Sequence, residues 1–259
     1  MFEFLTAERS GPRGLKGRRA YAVGDIHGRL DLLDELLGKI ERDVRSSKRG
    51  RATLVFLGDL IDRGPQSAEV LERLRTYRNG ALRTVFLLGN HEEVLLRILD
   101  GDAGLIGDWR RFGGSETLMS YGVDPAGLDS LDEQGALAAV RQAIPRTHVE
   151  FLCSFADTCR FGDYLLVHAG IRPGVELQRQ KQSDLRWIRA PFLSDDTDHG
   201  FVVVHGHTIS KAVEERSNRI GIDTGAYRTG VLTALVIDGS RRRLLTTAAG
   251  DSLGASTAH

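Results

Sequence analysis

Cysteine is nearly absent from this 259-residue chain. Two residues, Cys153 and Cys159, cannot make a disulfide framework over such a length, and they read as buried reduced thiols. No charge of one sign dominates either, since 35 Lys plus Arg balance 35 Asp plus Glu. A net charge of zero leaves no global basic field to recruit nucleic acid, so a general DNA or RNA binder is not expected. No apolar run approaches the roughly 18 residues that span a bilayer, and no membrane partner is expected. A signal-peptide core is missing as well: Met1 to Leu5 is short, and Arg and Gly follow. The expected location is therefore cytoplasmic. At 41% hydrophobic and 27% charged, the composition is that of an ordinary soluble globular protein, with ample length for a core.

What the chain has instead is five short islands of Gly, Asp and His. They are Gly24-Asp25-Ile26-His27-Gly28, Gly58-Asp59-Leu60-Ile61-Asp62-Arg63-Gly64, Gly89-Asn90-His91-Glu92, His168-Ala169-Gly170 and His205-Gly206-His207-Thr208. Three directly follow an apolar run. Together they supply carboxylates, a carboxamide, imidazoles and an arginine, an inventory suited to two divalent metals and a phosphate. A single Asp-x-His carries little meaning; five islands at expected strand ends point to one site.

The segments between them alternate in period. Arg19–Val23, Thr53–Leu57 and Thr84–Leu88 read as strands. Leu30–Val44 has apolar residues at helical spacing, Pro65 opens a helix through Tyr77, and Glu92–Leu99 continues as a third helix. Strand, turn, helix, three times over, predicts a parallel sheet covered by helices. Ligands at the C-terminal strand ends lie where such sheets place their sites. Residues 100–150 read as a helical insertion over the sheet, with short helices at Ser115–Tyr121 and Glu133–Ala143. After it the chain is strand-rich: Ala156–Phe161, Tyr164–Val167, Phe201–Val204, Arg219–Ile222, Val231–Ile237 and Arg242–Thr247. These predict a mixed second sheet packed face to face on the first, helices outside, in one α/β domain. The core is expected over about 19–247, with loose ends at 1–18 and 248–259.

The chemistry follows from the islands. Asp25, His27 and Asp59 are expected to hold one ion. Asp59, Asn90, His168 and His207 are expected to hold a second, with Asp59 bridging. Mixed nitrogen and oxygen ligation without thiolate favours manganese, iron or zinc over calcium. Two such ions clamp the attacking and leaving oxygens of an in-line displacement and acidify a bound water. His91 suits a general acid, Asp62 would hold its ring, and Arg63 would fork onto phosphate oxygens. His205 is expected to play a structural part, on the strand face opposite His207. His148, His199 and His259 are expected at the surface or in satisfied core positions. Trp109 and Phe112 are expected to pack in the core, and Arg241 to Arg243 to form a solvated turn.

These islands resemble the phosphoprotein phosphatase family of calcineurin-like metallophosphoesterases, whose motifs GDxHG, GDxxDRG, GNHE, HGG or HAG, and GHT all occur here in order over residues 24 to 208. The resemblance is nearest to bacterial and phage serine/threonine phosphatases, which carry a Trp-x-Arg segment matched by Trp187-Ile188-Arg189. It implies that Arg189 is a second phosphate-binding arginine, with Asn90 also at the phosphate. It implies a four-layer αββα sandwich of two mixed β-sheets flanked by helices, two divalent ions with manganese foremost (iron, zinc or magnesium being alternatives), and hydrolysis of phosphoserine or phosphothreonine in proteins without a covalent phosphoenzyme. Asp223-Thr224-Gly225-Ala226 also resembles that group. Leu88 stands where eukaryotic members have Arg, and Ile209 stands where wider metallophosphoesterases have a second His. The symmetrical diadenosine tetraphosphate hydrolases share nearly every motif and are the alternative reading. Retention of Asp62 in Asp62-Arg63-Gly64 tilts the expectation toward a protein phosphatase.

Overall fold

A computed structural model describes residues 11–47 and 50–247. The expectations for residues 1–10, for 248–259 and for His259 lie outside the described residues, whereas 12–14 of the expected loose lead-in are hydrogen-bonded to Asp163, Tyr164 and Gly239. Two five-stranded sheets form the centre. The first has β1 (Arg19–Val23), β2 (Ala52–Phe56) and β3 (Leu82–Phe86) running parallel, with β9 (Thr233–Asp238) antiparallel to β1 and β10 (Arg241–Thr246) antiparallel to β9 at the edge. The second is ordered β4 (Thr158–Phe161), β5 (Tyr164–Val167), β6 (Val202–His205), β8 (Arg219–Gly221), β7 (Glu214–Glu215), with β5, β6 and β8 parallel.

Side-chain alternation builds the layers. In β1, Ala20 and Ala22 face the second sheet, where Tyr164, Leu166, Val204 and Ile220 meet them. Tyr21 and Val23 point the other way, into a core shared with Leu33, Leu37 and Ile40 of α1 (Leu30–Ser46). Strands buried on both faces read as unbroken apolar runs, which is why β2 is Ala-Thr-Leu-Val-Phe with every residue buried. The helix α2 (Ser67–Arg75) makes the second crossover on this side, and α3 (Asn90–Asp100) follows β3 and leads into the insertion. Behind the second sheet, Leu165, Val167 and Val203 are covered by Leu185, Ile188 and Phe192 around the short α8 (Gln182–Trp187). The result is the αββα sandwich, with a thin fourth layer.

The insertion expected at 100–150 is helical but runs further. It contains α4 (Ile106–Trp109), a π-helical turn at Arg110–Gly114, α5 (Ser115–Ser120), α6 (Glu133–Ala143) and α7 (Arg146–Cys153). Leu118, Leu128, Leu137 and Val140 pack into the same core as α1 and α2, so it thickens the first helical layer.

Several expectations need correction. Pro65 lies in the turn before α2, which begins at Ser67, because the chain first doubles back at Asp62 and Arg63, both at positive φ. Asn90 opens α3 and does not end a strand. Arg241 to Arg243 belong to the edge strand β10; Arg242 pairs with Glu215 and Arg243 with Asp43. Neither cysteine is fully buried, and Cys153 is exposed. His148 fits its expectation: Nδ1 meets the Tyr121 hydroxyl at 2.6 Å and Nε2 lies 3.1 Å from Glu72.

Register then places the site. Val23 lies opposite Phe56, and Phe56 opposite Phe86, so three parallel strands end level and release their loops side by side. In the second sheet Leu166 pairs with Val204 and His205 with Gly221, which does the same for the loops carrying His168, His207 and Asp223.

Candidate metal centre and phosphate site

Tight turns bring the loops together. Among the described residues, five non-glycines have positive φ: His27, Asp59, Asp62, Arg63 and His207. All five belong to the expected site, and such backbone costs about 1–3 kcal/mol per residue, held only where surroundings over-determine it. The surroundings here are specific. The buried Glu92 carboxylate accepts hydrogen bonds from the amides of Asp59 (2.9 Å), Leu60 (2.7 Å) and Gly89 (3.0 Å). The amide of His27 donates to the Asp59 carbonyl at 2.9 Å. A Cβ on Gly64 would collide with the His27 carbonyl oxygen, and one on Gly206 with the Asp25 carboxylate, so glycine alone fits both positions.

The product of these turns is a buried cradle. Asp59 stands at its centre, with Oδ1 3.4 Å from His168 Nε2 and Oδ2 3.7 Å from His27 Nε2. Two groups of three ligand atoms lie close enough to hold an ion each: His27, Asp59 and His91, and Asp59, His168 and His207. Asn90 Oδ1 joins the second group, 3.0 Å from His168 Nε2 and 2.9 Å from His207 Nδ1. The second group is the expected one. In the first, His91 stands where Asp25 was expected. Asp25 lies beside it, with Oδ2 accepting the His207 amide at 3.0 Å and Oδ1 buried without a hydrogen-bond partner.

Electrostatics test whether metal ions fit. Burial, then Asp223 and Asp59, push the Asp25 carboxyl well above its ordinary range. Burial lifts Asp223 to about 6. Buried, crowded carboxyls of this kind stay ionised only beside a compensating cation. Burial lowers His27 and His207 to about 3 and also depresses His168, which keeps all three neutral, the form that ligates metal. The orphan Asp25 Oδ1 and His207 Nε2 add two buried donors of electron pairs. Nitrogen and oxygen donors without sulfur complete the fit to divalent ions.

His91 differs from its neighbours. Its Nδ1 lies 2.6 Å from Asp62 Oδ2. Burial opposes a charge on it, but Asp59 and Asp62 outweigh burial and push its pKa up to about 9. Asp62 is itself held by two residues of the insertion that sequence reasoning missed: Thr117 Oγ1 donates at 2.6 Å and Trp109 Nε1 at 3.0 Å. Trp109 is core, as expected, yet its one polar atom serves the site. Nothing in the sequence separates that role from packing. Phe112 is not core; it is 67% exposed.

Arg63 reaches over the cradle, with Nη1 3.1 Å from His27 Nε2 and Nη2 3.0 Å from His91 Nε2. A guanidinium only donates, so the second contact needs an unprotonated Nε2. Protonated His91 and this contact therefore exclude one another, and Arg63 must shift when His91 is charged. The Tyr227 ring lies 5.0 Å from the Arg63 guanidinium carbon. Arg189 lines the same cavity of about 470 Å³ as Arg63, Asn90, His91 and His207. All ten expected site residues thus converge on the cradle or its cavity. His205 does not: its ring packs 5.2 Å from Phe192, behind the second sheet.

Several known proteins resemble the chain as a whole. The chain is 30% identical to the asymmetrical bis(5'-nucleosyl)-tetraphosphatase PrpE of Bacillus subtilis, covering 82% of this chain and 87% of that one. It is 29% identical to the PrpE of Anoxybacillus flavithermus over 82% and 88%. It is 26% identical to a symmetrical bis(5'-nucleosyl)-tetraphosphatase of Neisseria gonorrhoeae over 84% and 92%. A crystal structure provisionally assigned as a diadenosine tetraphosphatase superposes with a TM-score of 0.62 at 23% identity, covering 92% of this chain and 95% of that one, a likeness of fold. The expected kinship with metallophosphoesterases holds, while these relatives carry nucleotide and not phosphoprotein names. Residues 18–228 match the family model described as calcineurin-like phosphoesterase, and with the cradle built by those same residues, the chain belongs to that family.

Proposed function

We propose that this protein is a dimetal hydrolase of dinucleoside polyphosphates. The observation that carries hydrolysis is the single carboxylate, Asp59, shared by two buried ligand groups beside two arginines. The substrate class is supported by likeness to bis(5'-nucleosyl)-tetraphosphatases over more than four-fifths of this chain. On that support the phosphoserine or phosphothreonine substrate gives way to the alternative raised by the motifs.

His27, Asp59 and the adjoining Asp25 would hold one ion; Asp59, Asn90, His168 and His207 would hold the other. When bound, two such ions supply an activated water and neutralise charge on the phosphate. His27, once engaged as a ligand, would no longer face the Arg63 guanidinium, which would leave Arg63 for phosphate oxygens. Arg63 and Arg189 then orient the phosphate chain. The water oxygen bonds to phosphorus as the bridging P–O bond breaks. His91 Nε2 gives its proton to the departing oxygen, and Asp62, accepting from Nδ1–H, holds the ring in line.

The test is a substrate panel with manganese, iron, zinc and magnesium. Diadenosine tetraphosphate should be split into two ADP or into ATP plus AMP, and chelator should abolish turnover. Phosphopeptide turnover a hundredfold above that of diadenosine tetraphosphate would reverse the assignment.

A further inference from the structure

The cavity above the cradle carries a feature that phosphate chemistry does not use. Among the described residues, six large hydrophobic side chains are exposed, and two of them, Phe112 and Trp187, line this one cavity. Scattered exposed hydrophobics need no explanation; two aromatics on one cavity do. They come from opposite outer layers of the sandwich, Phe112 from the insertion over the first sheet and Trp187 from the end of α8 behind the second. Each is tied to an arginine of the same cavity. Phe112 sits in the π-helical turn whose next residue, Gly113, accepts the Arg63 amide at 3.1 Å. A Cβ on Gly113, at φ 116°, would strike the Arg63 backbone, so the turn is seated directly on that arginine. Trp187 stands two residues before Arg189, and its indole N–H donates to Glu93 at 3.1 Å, which fixes the ring plane.

We propose that Phe112 and Trp187 are nucleobase platforms, each delivering one end of a dinucleoside polyphosphate to the arginine beside it. The inference rests on the substrate reading above and deepens it. Exposed aromatics paired with guanidinium groups match a ligand whose flat apolar base is followed by an anionic chain. Stacking is sequence-tolerant because every base has a π-face, so the site selects nucleotides over inorganic phosphates without selecting one base strongly. A phosphoserine or phosphothreonine peptide offers no such face at a fixed spacing from its phosphate.

The experiment compares two non-hydrolysable probes on the metal-loaded full chain by calorimetry: α,β-methylene-ADP, and methylenediphosphonate, which lacks the nucleoside. Each base–aromatic stack of about 1–3 kcal/mol corresponds to roughly 5- to 150-fold in affinity. The nucleotide should therefore bind at least about fivefold more tightly in the wild type. That ratio should fall to near one in Phe112→Ala/Trp187→Ala, and KM for diadenosine tetraphosphate should rise more than kcat falls. Phe112→Tyr with Trp187 unchanged keeps both rings and should keep the ratio. A wild-type ratio of one, a ratio that survives the double alanine change, or its loss in the ring-conserving variant overturns the assignment. Should diadenosine tetraphosphate resist hydrolysis while the nucleotide preference is present, the substrate reading fails and the platforms stand. Hydrolysis of diadenosine tetraphosphate without any nucleotide preference removes the platforms and leaves the substrate reading in place.

Discussion

At the floor of the cavity, Asp59, His168 and His207 are each 7% exposed or less and hydrogen-bonded to neighbours. At its mouth, Phe112 is 67% and Trp187 41% exposed. The floor is made of strand-end turns in strained backbone, locked by Glu92 and by glycines with no room for a side chain. The mouth is made of an insertion and a short helix that share no strand register. On the reading proposed above, the contrast divides the holding of ions from the selection of substrate. A floor that holds ions needs sub-ångström placement, so every turn is over-determined. A mouth that selects substrates needs only suitable surfaces at the right height, and those can be exchanged without disturbing the floor.

The largest effect should come from breaking the floor. Asp59→Asn removes the shared carboxylate. Turnover and bound metal should both drop more than the tenfold to hundredfold typical of losing an outer partner of a metal ligand. Metal analysis and kinetics would read it, and retained stoichiometry with normal turnover would remove Asp59 from the centre. His91→Asn sharpens the boundary between ligand and acid. Turnover should fall by about 10²–10⁴ with two metals still bound, because proton donation is lost. A fall in metal content instead would make His91 the third ligand of the first group.

Thr117→Val tests whether the insertion reaches down into the floor. It deletes the 2.6 Å donor to Asp62 and leaves a buried acceptor short. A loss of about 1–3 kcal/mol in stability is expected, with turnover reduced about tenfold. Unchanged melting and kinetics would confine the insertion to the mouth. The smallest effect lies far from both regions. Burial opposes charge on Asp43, but the Tyr21 hydroxyl, Arg243 and Arg19 outweigh it and hold its pKa below the ordinary value. A depressed carboxyl contributes stability at neutral pH that is lost as pH falls through its folded pKa. Asp43→Asn should therefore cost at most about 1 kcal/mol at pH 7, and the gap from wild type should close in acid, as denaturant melts would show.

The floor was legible in the residues because its chemistry demands particular side chains. Asp, His and Asn are metal-ligand types, and the glycines at 64 and 206 mark turns that admit no Cβ. The strands were legible too, since burial on both faces leaves an apolar run. Boundaries slipped where a turn decided them: Pro65 precedes α2 because positive φ at Asp62 and Arg63 delays the helix, and Asn90 opens α3 once Glu92 anchors its first turn on the Asp59 loop. The roles of Trp109 and Thr117 had no signature, because each is an ordinary residue for a core or a helix; Glu92 stood in the Gly89-Asn90-His91-Glu92 island, but its anchoring of the Asp59 loop is a tertiary contact.

The order of side chains along the chain set which atoms could bind metal and phosphate, since ligand chemistry is carried by residue type. Folding selected which of them meet. Register levelled three strand ends in each sheet, His91 came in beside Asp25 at the His27 and Asp59 group, and two aromatics from separate layers came to share one cavity. Those are distances between segments more than a hundred residues apart in some cases. Nothing in local sequence encodes such distances; packing of two sheets face to face sets them.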